Sequence, residues 1–257
     1  MEHIDRNTQF ARALEVLSIA RRSPYYAEKY KDLGVVRTPE DWLRVPMLSR
    51  NDLYLNTYPA TCNMLTAPLA NAIVSSTGGS TGVARTIVLT HQEWDAFCQA
   101  QGEAFRRLGV RPDDVVANLF VAGHLWPSFL GVHEMIKYCG GVHLPISSNI
   151  GVEEAYKLCC KYQPTVMVSL PTMFVLMADM AKRDGIVFDR LRLIAYAGEQ
   201  LSREVYQDYL IRFLCNNSAE FNIKYQNLSA SCSHPLITLS TDDISHAAGQ
   251  TKHRFIV

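Results

Sequence analysis

The sequence lacks a net charge of either sign, since its 25 Lys and Arg balance 25 Asp and Glu over 257 residues. No global field therefore recruits nucleic acid or an acidic membrane surface, and the expected partner is a small molecule in a local pocket. No apolar run approaches the ~20 residues of a membrane-spanning helix. The opening, MEHIDRNTQFARALEVL, has early acids and no apolar core of the secretory kind, so a cytoplasmic protein is expected. C-x-x-C is missing, and the cysteines (Cys62, Cys98, Cys139, Cys159, Cys160, Cys215 and Cys232) are odd in number. That speaks for reduced thiols and against a disulfide framework or a cysteine metal site. Internal repeats and low-complexity linkers are absent as well. Apolar residues make up 48% and charged residues 19%, the balance of a globular chain. Its length suffices for a sizeable core, as one large domain or two modest ones.

The apolar pattern divides the chain into three parts. Residues 1–70 read as an N-terminal segment of helices and loops, in which RNTQFARALEVLSIARR has helical spacing and Pro24 follows its basic end. Residues 71–225 alternate strands with helices. The strands are NAIVSS, ARTIVLT, DDVVANLF, GVHLPI, PTVMVSL, LRLIAYAG and EFNIKY. Between them, HQEWDAFCQAQGEAFRRL places Trp94, Phe97, Cys98, Phe105 and Leu108 on one helical stripe, with Thr90 and Glu93 as a capping box. Further helices are expected around 127–138 and over VEEAYKLCCKY, PTMFVLMADMAKR and REVYQDYLIRFL. Short apolar strands alternating with helices predict an α/β fold, a mostly parallel sheet flanked by helices. Residues 226–257 read as a short β-rich piece, the start of a second, incomplete subdomain. It ends on the apolar strand HRFIV, either a closing edge strand or a surface for a neighbouring element.

The stretch SSTGGSTGVARTIVL holds the densest chemistry. Three glycines in the five residues Gly78 to Gly82 let the backbone turn tightly and expose its N–H groups. Three ligand-binding arrangements use such a loop. Gly78-Gly79-Ser80-Thr81-Gly82 satisfies the G-x-S-x-G of a hydrolase elbow, but that motif needs a helix after the serine, and Arg85-Thr86-Ile87-Val88-Leu89 is strand-like. A P-loop wants a lysine before the Ser/Thr and a helix after it, and both are missing. A glycine and hydroxyl loop between two strands fits better: its amides, with Thr77, Ser80 and Thr81, wrap the outer phosphates of a nucleotide. A plain hairpin turn without a ligand is the bland alternative.

TGGSTGVAR resembles the phosphate-binding signature of the adenylate-forming enzymes, usually T-S-G-T-T-G-K-P-K. More narrowly, the chain looks like the phenylacetate–coenzyme A ligase branch. SPYYAEKY resembles its S-x-Y-Y segment, and VPMLSRNDLY its P-x-x-x-K-x-D-L segment with Arg50 for lysine. GVRPDDVVANLF is similar to the G-x-x-x-G-D-V strand, and YAGEQLS to the G-G-E-P-L-S loop on the adenine side. The matches run in family order from about residue 20 to residue 202. The resemblance implies an acid–thiol ligase: a carboxylate attacks the α-phosphate of ATP, and coenzyme A then takes the acyl group. It implies that Thr77, Gly78, Gly79, Ser80, Thr81 and Gly82 hold the β- and γ-phosphates. Gly198 and Glu199 would sit by the adenine, with Ala197 where the family has glycine. Tyr225 would lie against the base. Each has a bland counterpart, a β–α turn with an acid favoured by a helix dipole for Gly198-Glu199 and a rim residue for Tyr225. His124, Trp126 and Phe129 in LFVAGHLWPSFLG would line the pocket for an aromatic or apolar acid, or else belong to the core.

Three departures from the family pattern stand out. Ser229 occupies the position of the acidic Mg²⁺ ligand, and a hydroxyl is a poor substitute for a carboxylate toward a hard cation. Val83-Ala84-Arg85 keeps a cation but loses the Lys-Pro of the loop exit. Nothing in residues 226–257 resembles the ribose-binding aspartate, and the small C-terminal domain with its catalytic lysine is expected to be lacking. No catalytic residue and no metal ligand is therefore assigned. The expected protein is the AMP-binding N-terminal part of a carboxylate–CoA ligase, completed by a homodimer or a separately encoded C-terminal domain. The rival is a catalytically incomplete remnant that binds a small molecule or a partner.

Overall fold

The computed structural model describes residues 6–78, 84–199 and 222–225. The chain forms two compact units, divided between His91 and Gln92. In the first, α1 (Arg6–Ala20), α2 (Pro24–Lys29), α3 (Pro39–Trp42) and α4 (Arg50–Asn56) precede a hairpin of β1 (Ala72–Ser76) and β2 (Thr86–Thr90). The hairpin thus groups with the N-terminal helices, and the division lies about twenty residues beyond the boundary expected at residue 70.

These short helices owe their positions to caps. Ser23, Thr38 and Ser49 accept bonds from first-turn amides, and Pro24 and Pro39 start their helices without wasting a donor. Asp52 returns the bond to Ser49 N–H at 2.7 Å and takes Lys29 Nζ at 3.1 Å, tying α4 to α2. The Ser49 N–H, with Tyr25 and Lys29, holds the Asp52 carboxyl well below the usual carboxylate range.

The second unit begins in α5 (His91–Leu108) and continues through β3 (Val115–Asn118), α6 (Ser128–Cys139), β4 (Val142–Leu144), α7 (Val152–Tyr162), β5 (Val166–Ser169), α8 (Pro171–Asp184), β6 (Leu193–Tyr196) and β7 (Asn222–Tyr225). Its five strands lie in the order β4-β3-β5-β6-β7, every pair parallel. Successive strand residues face opposite sides, and both sides are covered. Val116, Val166, Val168, Leu193 and Ala195 pack with α5 and α6, through Phe105, Leu108, Val132, Met135 and Ile136. Ala117, Met167 and Ile194 pack with α7 and α8, through Tyr156, Phe174 and Met177. Strands β3, β5 and β6 are apolar up to their last residue because both of their faces are covered, whereas the edge strand β4 leaves Val142 exposed. The stripe expected on α5 is buried at Trp94, Cys98, Phe105 and Leu108, with Phe97 at its edge.

At the N-terminal ends of the strands a polar staple joins three of them. The buried Asp114, just before β3, accepts Thr165 Oγ1 at 2.6 Å and Arg192 Nε at 2.9 Å, and it forms an ion pair with Arg192 Nη2. Arg111 N–H adds a bond at 2.7 Å. Thr165 precedes β5 and Arg192 precedes β6, so one carboxylate sets the stagger of β3, β5 and β6.

On edge strand β4, His143 Nδ1 lies 3.0 Å from Nδ1 of His133 on α6, and His143 Nε2 is buried without a partner. A proton added to His143 would place a charge in a half-buried site beside a second imidazole. Burial, and then His133, hold its pKa down to about 4. The unfolded chain, with an ordinary histidine near 6.5, takes up that proton first as pH falls. The stabilisation is complete above about pH 6.5 and is lost progressively toward pH 4, amounting to roughly 2 kcal/mol by pH 5. Urea unfolding at pH 7 and pH 5 should show this slope, and His143→Phe should flatten it; an unchanged slope would remove His143 from the account.

Candidate functional site

In an open parallel sheet, ligands bind beyond the carboxyl ends of the strands, where neighbouring connections leave in opposite directions. Here the chain leaves β3 through α6 to β4 on one side, and leaves β5 through α8 to β6 on the other. The switch point lies between β3 and β5. Four segments follow the strand ends there and beside it: residues 119–127, 145–151, 197–199, and 170–172 at the start of α8.

The loop after β3 carries His124 and Trp126, whose rings lie 5.4 Å apart at 33°. His124 is exposed and Trp126 half-buried. Phe129, in the first turn of α6, packs against the α5–α6 side of the core with its ring 6.3 Å from that of His143. The backbone is left-handed at three consecutive residues, Gly123 (φ 97°), His124 (φ 55°) and Leu125 (φ 60°). For the two non-glycines this costs about 1–2 kcal/mol each, so the surroundings must hold the loop in place.

Asn118, Ser147, Asn149 and Ser169 do that holding, and sequence reasoning passed over all of them. Asn118 closes β3, fully buried; its Nδ2 donates to Phe129 O at 3.0 Å and its Oδ1 accepts Phe120 N–H at 3.3 Å. Ser169 closes β5 and donates to Leu119 O at 3.0 Å. The available signal was a polar residue ending an otherwise apolar strand, in VVAN and VMVS. A polar group in such a place is kept only when bonded.

Gly198 and Glu199 follow β6, and Ala197 N–H bonds Ser169 O at 3.3 Å. Gly198 has φ 86°, a left-handed conformation that favours glycine, while a Cβ there would meet only the tip of the Leu170 side chain at 2.8 Å, which can turn aside. Glu199 Oε2 accepts Thr172 N–H at 3.1 Å and Thr172 Oγ1 at 2.5 Å. Leu170 stands at the N-cap of α8, and its side chain cannot cap the helix. Glu199 therefore caps α8 from the neighbouring strand end, with its charge at the positive end of the helix dipole. Tyr225 pairs with Tyr196 at the end of β7.

In the first unit, β1 and β2 pair antiparallel from Ala72↔Thr90 to Ser76↔Thr86. Thr77 extends the pairing: its N–H donates to Arg85 O at 2.9 Å, and its Oγ1 accepts Arg85 N–H at 2.9 Å. A Cβ on Gly78 would meet only open space. Gly79, Ser80, Thr81 and Gly82 lie outside the described residues, as does Ser229. Strand β2, and no helix, follows the glycines, which is the context of neither a nucleophile elbow nor a P-loop.

The described cysteines are free thiols. Burial pushes Cys98 and Cys159 up to about 12 and Cys139 to about 11, so none of these three is a thiolate nucleophile at neutral pH. Among the described residues no three His, Cys, Asp or Glu side chains gather to hold a metal ion, and no helix is long and apolar enough to cross a membrane.

A doubly covered parallel sheet with its loops gathered at a switch point is the scaffold of a nucleotide- or small-molecule-binding protein. The sequence profile of the AMP-binding enzymes matches residues 28–221, and the chain belongs to that family. It is 24% identical over 168 residues to the phenylacetate-coenzyme A ligase of Pseudomonas putida, covering 63% of this chain and 37% of that protein. It is 29% identical over 142 residues to the 4-hydroxybenzoate–CoA/benzoate–CoA ligase of Rhodopseudomonas palustris, covering 52% and 24%. The chain thus spans about a third or less of the length of these curated relatives. In fold it is similar to 2-hydroxyisobutyryl-CoA ligase in complex with 2-HIB-AMP and CoA in the thioesterification state, with a TM-score of 0.71 at 18% identity over 86% of this chain and 49% of the other. The open conformation of that ligase gives a TM-score of 0.66 at 19% identity, over 76% and 47%.

Proposed function

We propose that the chain is the nucleotide-binding N-terminal part of an adenylate-forming carboxylate–CoA ligase that acts on an aromatic or other apolar acid. One observation carries this most directly: a glycine and hydroxyl stretch runs between two paired strands, inside the residues matched by the AMP-binding profile. The two curated ligases of aromatic acids support the acid class.

In the proposed reaction a carboxylate oxygen of the acid attacks the α-phosphorus of ATP. The bond to the bridging oxygen breaks, and pyrophosphate leaves. The thiol of coenzyme A then attacks the acyl carbon, and AMP departs. The first step requires no proton abstraction, so positioning and charge stabilisation supply most of the acceleration. Amides of Gly78 to Gly82 and hydroxyls of Thr77, Ser80 and Thr81 hold the leaving pyrophosphate, the Thr77 N–H being given to Arg85 O. The Ala197-Gly198-Glu199 turn borders the adenine, and Tyr225 offers a ring face to it. His124, Trp126 and Phe129 enclose the acid. A Mg²⁺ ion, if Ser229 contributes to its site, would be held more weakly than by a carboxylate. The protein is proposed to work in the cytoplasm, as a homodimer or together with a lysine-bearing C-terminal domain.

The test is carboxylate-dependent exchange of labelled pyrophosphate into ATP, run beside calorimetric titration with ATP. Exchange stimulated by benzoate or phenylacetate is the expected result. Binding of ATP without exchange would identify a binding protein instead, and absence of both would end the proposal.

A further inference from the structure

We infer that Asn149 is a positioning residue for acid selectivity, acting by clamping the strained loop that carries His124 and Trp126. The inference rests on the function proposed above and deepens it.

The side-chain amide of Asn149 engages both backbone groups of one residue. Ala122 N–H donates to its Oδ1 at 2.9 Å, and its Nδ2 donates to Ala122 O at 2.8 Å. The Ala122 N–H can only donate, which fixes the amide orientation and leaves Nδ2 facing the carbonyl; Ser147 Oγ donates to the same Oδ1 at 2.9 Å and is a second acceptor for Ala122 N–H at 3.2 Å. Ser147 is itself held, its N–H bonding Asn118 O at 2.9 Å. Ala122 is thus fixed along both edges immediately before the left-handed run Gly123-His124-Leu125. The Trp126 N–H closes that run on Gly123 O at 3.0 Å, and Asn118 anchors the far end at Phe129 O.

Asn149 is an exposed residue on the loop after β4, where its amide could bond water. Instead both amide groups serve a neighbouring backbone across 27 positions of sequence. Left-handed non-glycine residues persist only where the surroundings over-determine them, and they gather at functional sites. The loop lies beside the switch point, where an acid would approach the nucleotide. Released from the clamp, it would relax toward ordinary backbone angles and carry the His124 and Trp126 rings with it. Selectivity among acids would fall, and nucleotide contacts made elsewhere would not.

The experiment titrates the full chain with AMP and with two non-hydrolysable acyl-adenylate mimics, benzoyl- and acetyl-sulfamoyl adenosine. The preference for the benzoyl over the acetyl mimic is the readout. Asn149→Ala should reduce that preference about tenfold while AMP affinity stays within about twofold. Asn149→Asp keeps the acceptor for Ala122 N–H but loses the donor to its carbonyl, and should fall between. Leu125→Gly loosens the loop from its other side at a position where glycine relieves the backbone, so preference should drop with no loss of melting temperature. That result separates positioning from mere support of the fold, and it stands if Asn149→Ala folds poorly. Unchanged preference in the variants, or a parallel weakening of AMP and both mimics, overturns the inference and leaves the proposed function intact. A wild-type chain that binds neither AMP nor the mimics removes both.

Discussion

Gly79→Trp is expected to weaken ATP binding at least 100-fold, about 2.7 kcal/mol, with the melting temperature nearly unchanged. The physical ground is the composition of the loop. Gly78, Gly79 and Gly82 leave backbone N–H groups bare, and Thr77, Ser80 and Thr81 add only small hydroxyls. Such a segment can close round a polyphosphate because no side chain stands between amide and oxygen. An indole in its middle would occupy the volume that the proposed function assigns to the phosphates. Its neck is secured independently by the two Thr77–Arg85 bonds and the β1–β2 register, so the damage should stay local. Calorimetry with ATP, alongside a thermal melt, checks both halves of the expectation, and Gly79→Ala should lose much less. Undiminished affinity in the tryptophan variant would take the loop out of the nucleotide site.

Asp114→Ala is expected to do the reverse, costing about 3–5 kcal/mol of stability at the N-terminal ends of the parallel strands. The Asp114 side chain is 3% exposed and serves Arg192, Thr165 and the Arg111 amide together. Its removal leaves a guanidinium, 25% exposed on its side chain, without its counter-charge, and deprives two further donors of their acceptor. Breaking such a pair from one side is costly because the remaining charge stays desolvated. Replacing both partners, as in Asp114→Leu with Arg192→Met, should recover much of the loss, since no unpaired charge remains. Urea midpoints for the two single variants and the double would resolve the coupling. A loss below about 1 kcal/mol for Asp114→Ala would mean that water reaches the guanidinium and that the staple contributes little.

The alternation of strands and helices was legible because each element bears its own periodicity. VVAN, VMVS and LIAY are apolar up to their last residue, which points to strands covered on both faces, and α5 shows its buried stripe at helical spacing. The two strands that flank the glycine stretch were legible for the same local reason. The holders of the site were not. Asn149 reaches Ala122, Glu199 reaches Thr172, and Asp114 reaches Arg192, each pair lying at least 27 residues apart. A lone asparagine in a loop or a glutamate after a strand has no pattern that names its partner.

By itself, then, the order of residues determined the α/β class, the succession of elements and the resemblance to adenylate-forming enzymes, since these follow from short-range spacing and contiguous motifs. Only the tertiary structure decided the strand order, the switch point between β3 and β5, the role of Glu199 as a cap on α8, and the clamp on the loop of His124 and Trp126. Those depend on which distant backbone and side-chain groups meet once the sheet has formed, and buried polar groups find partners through space, not along the chain.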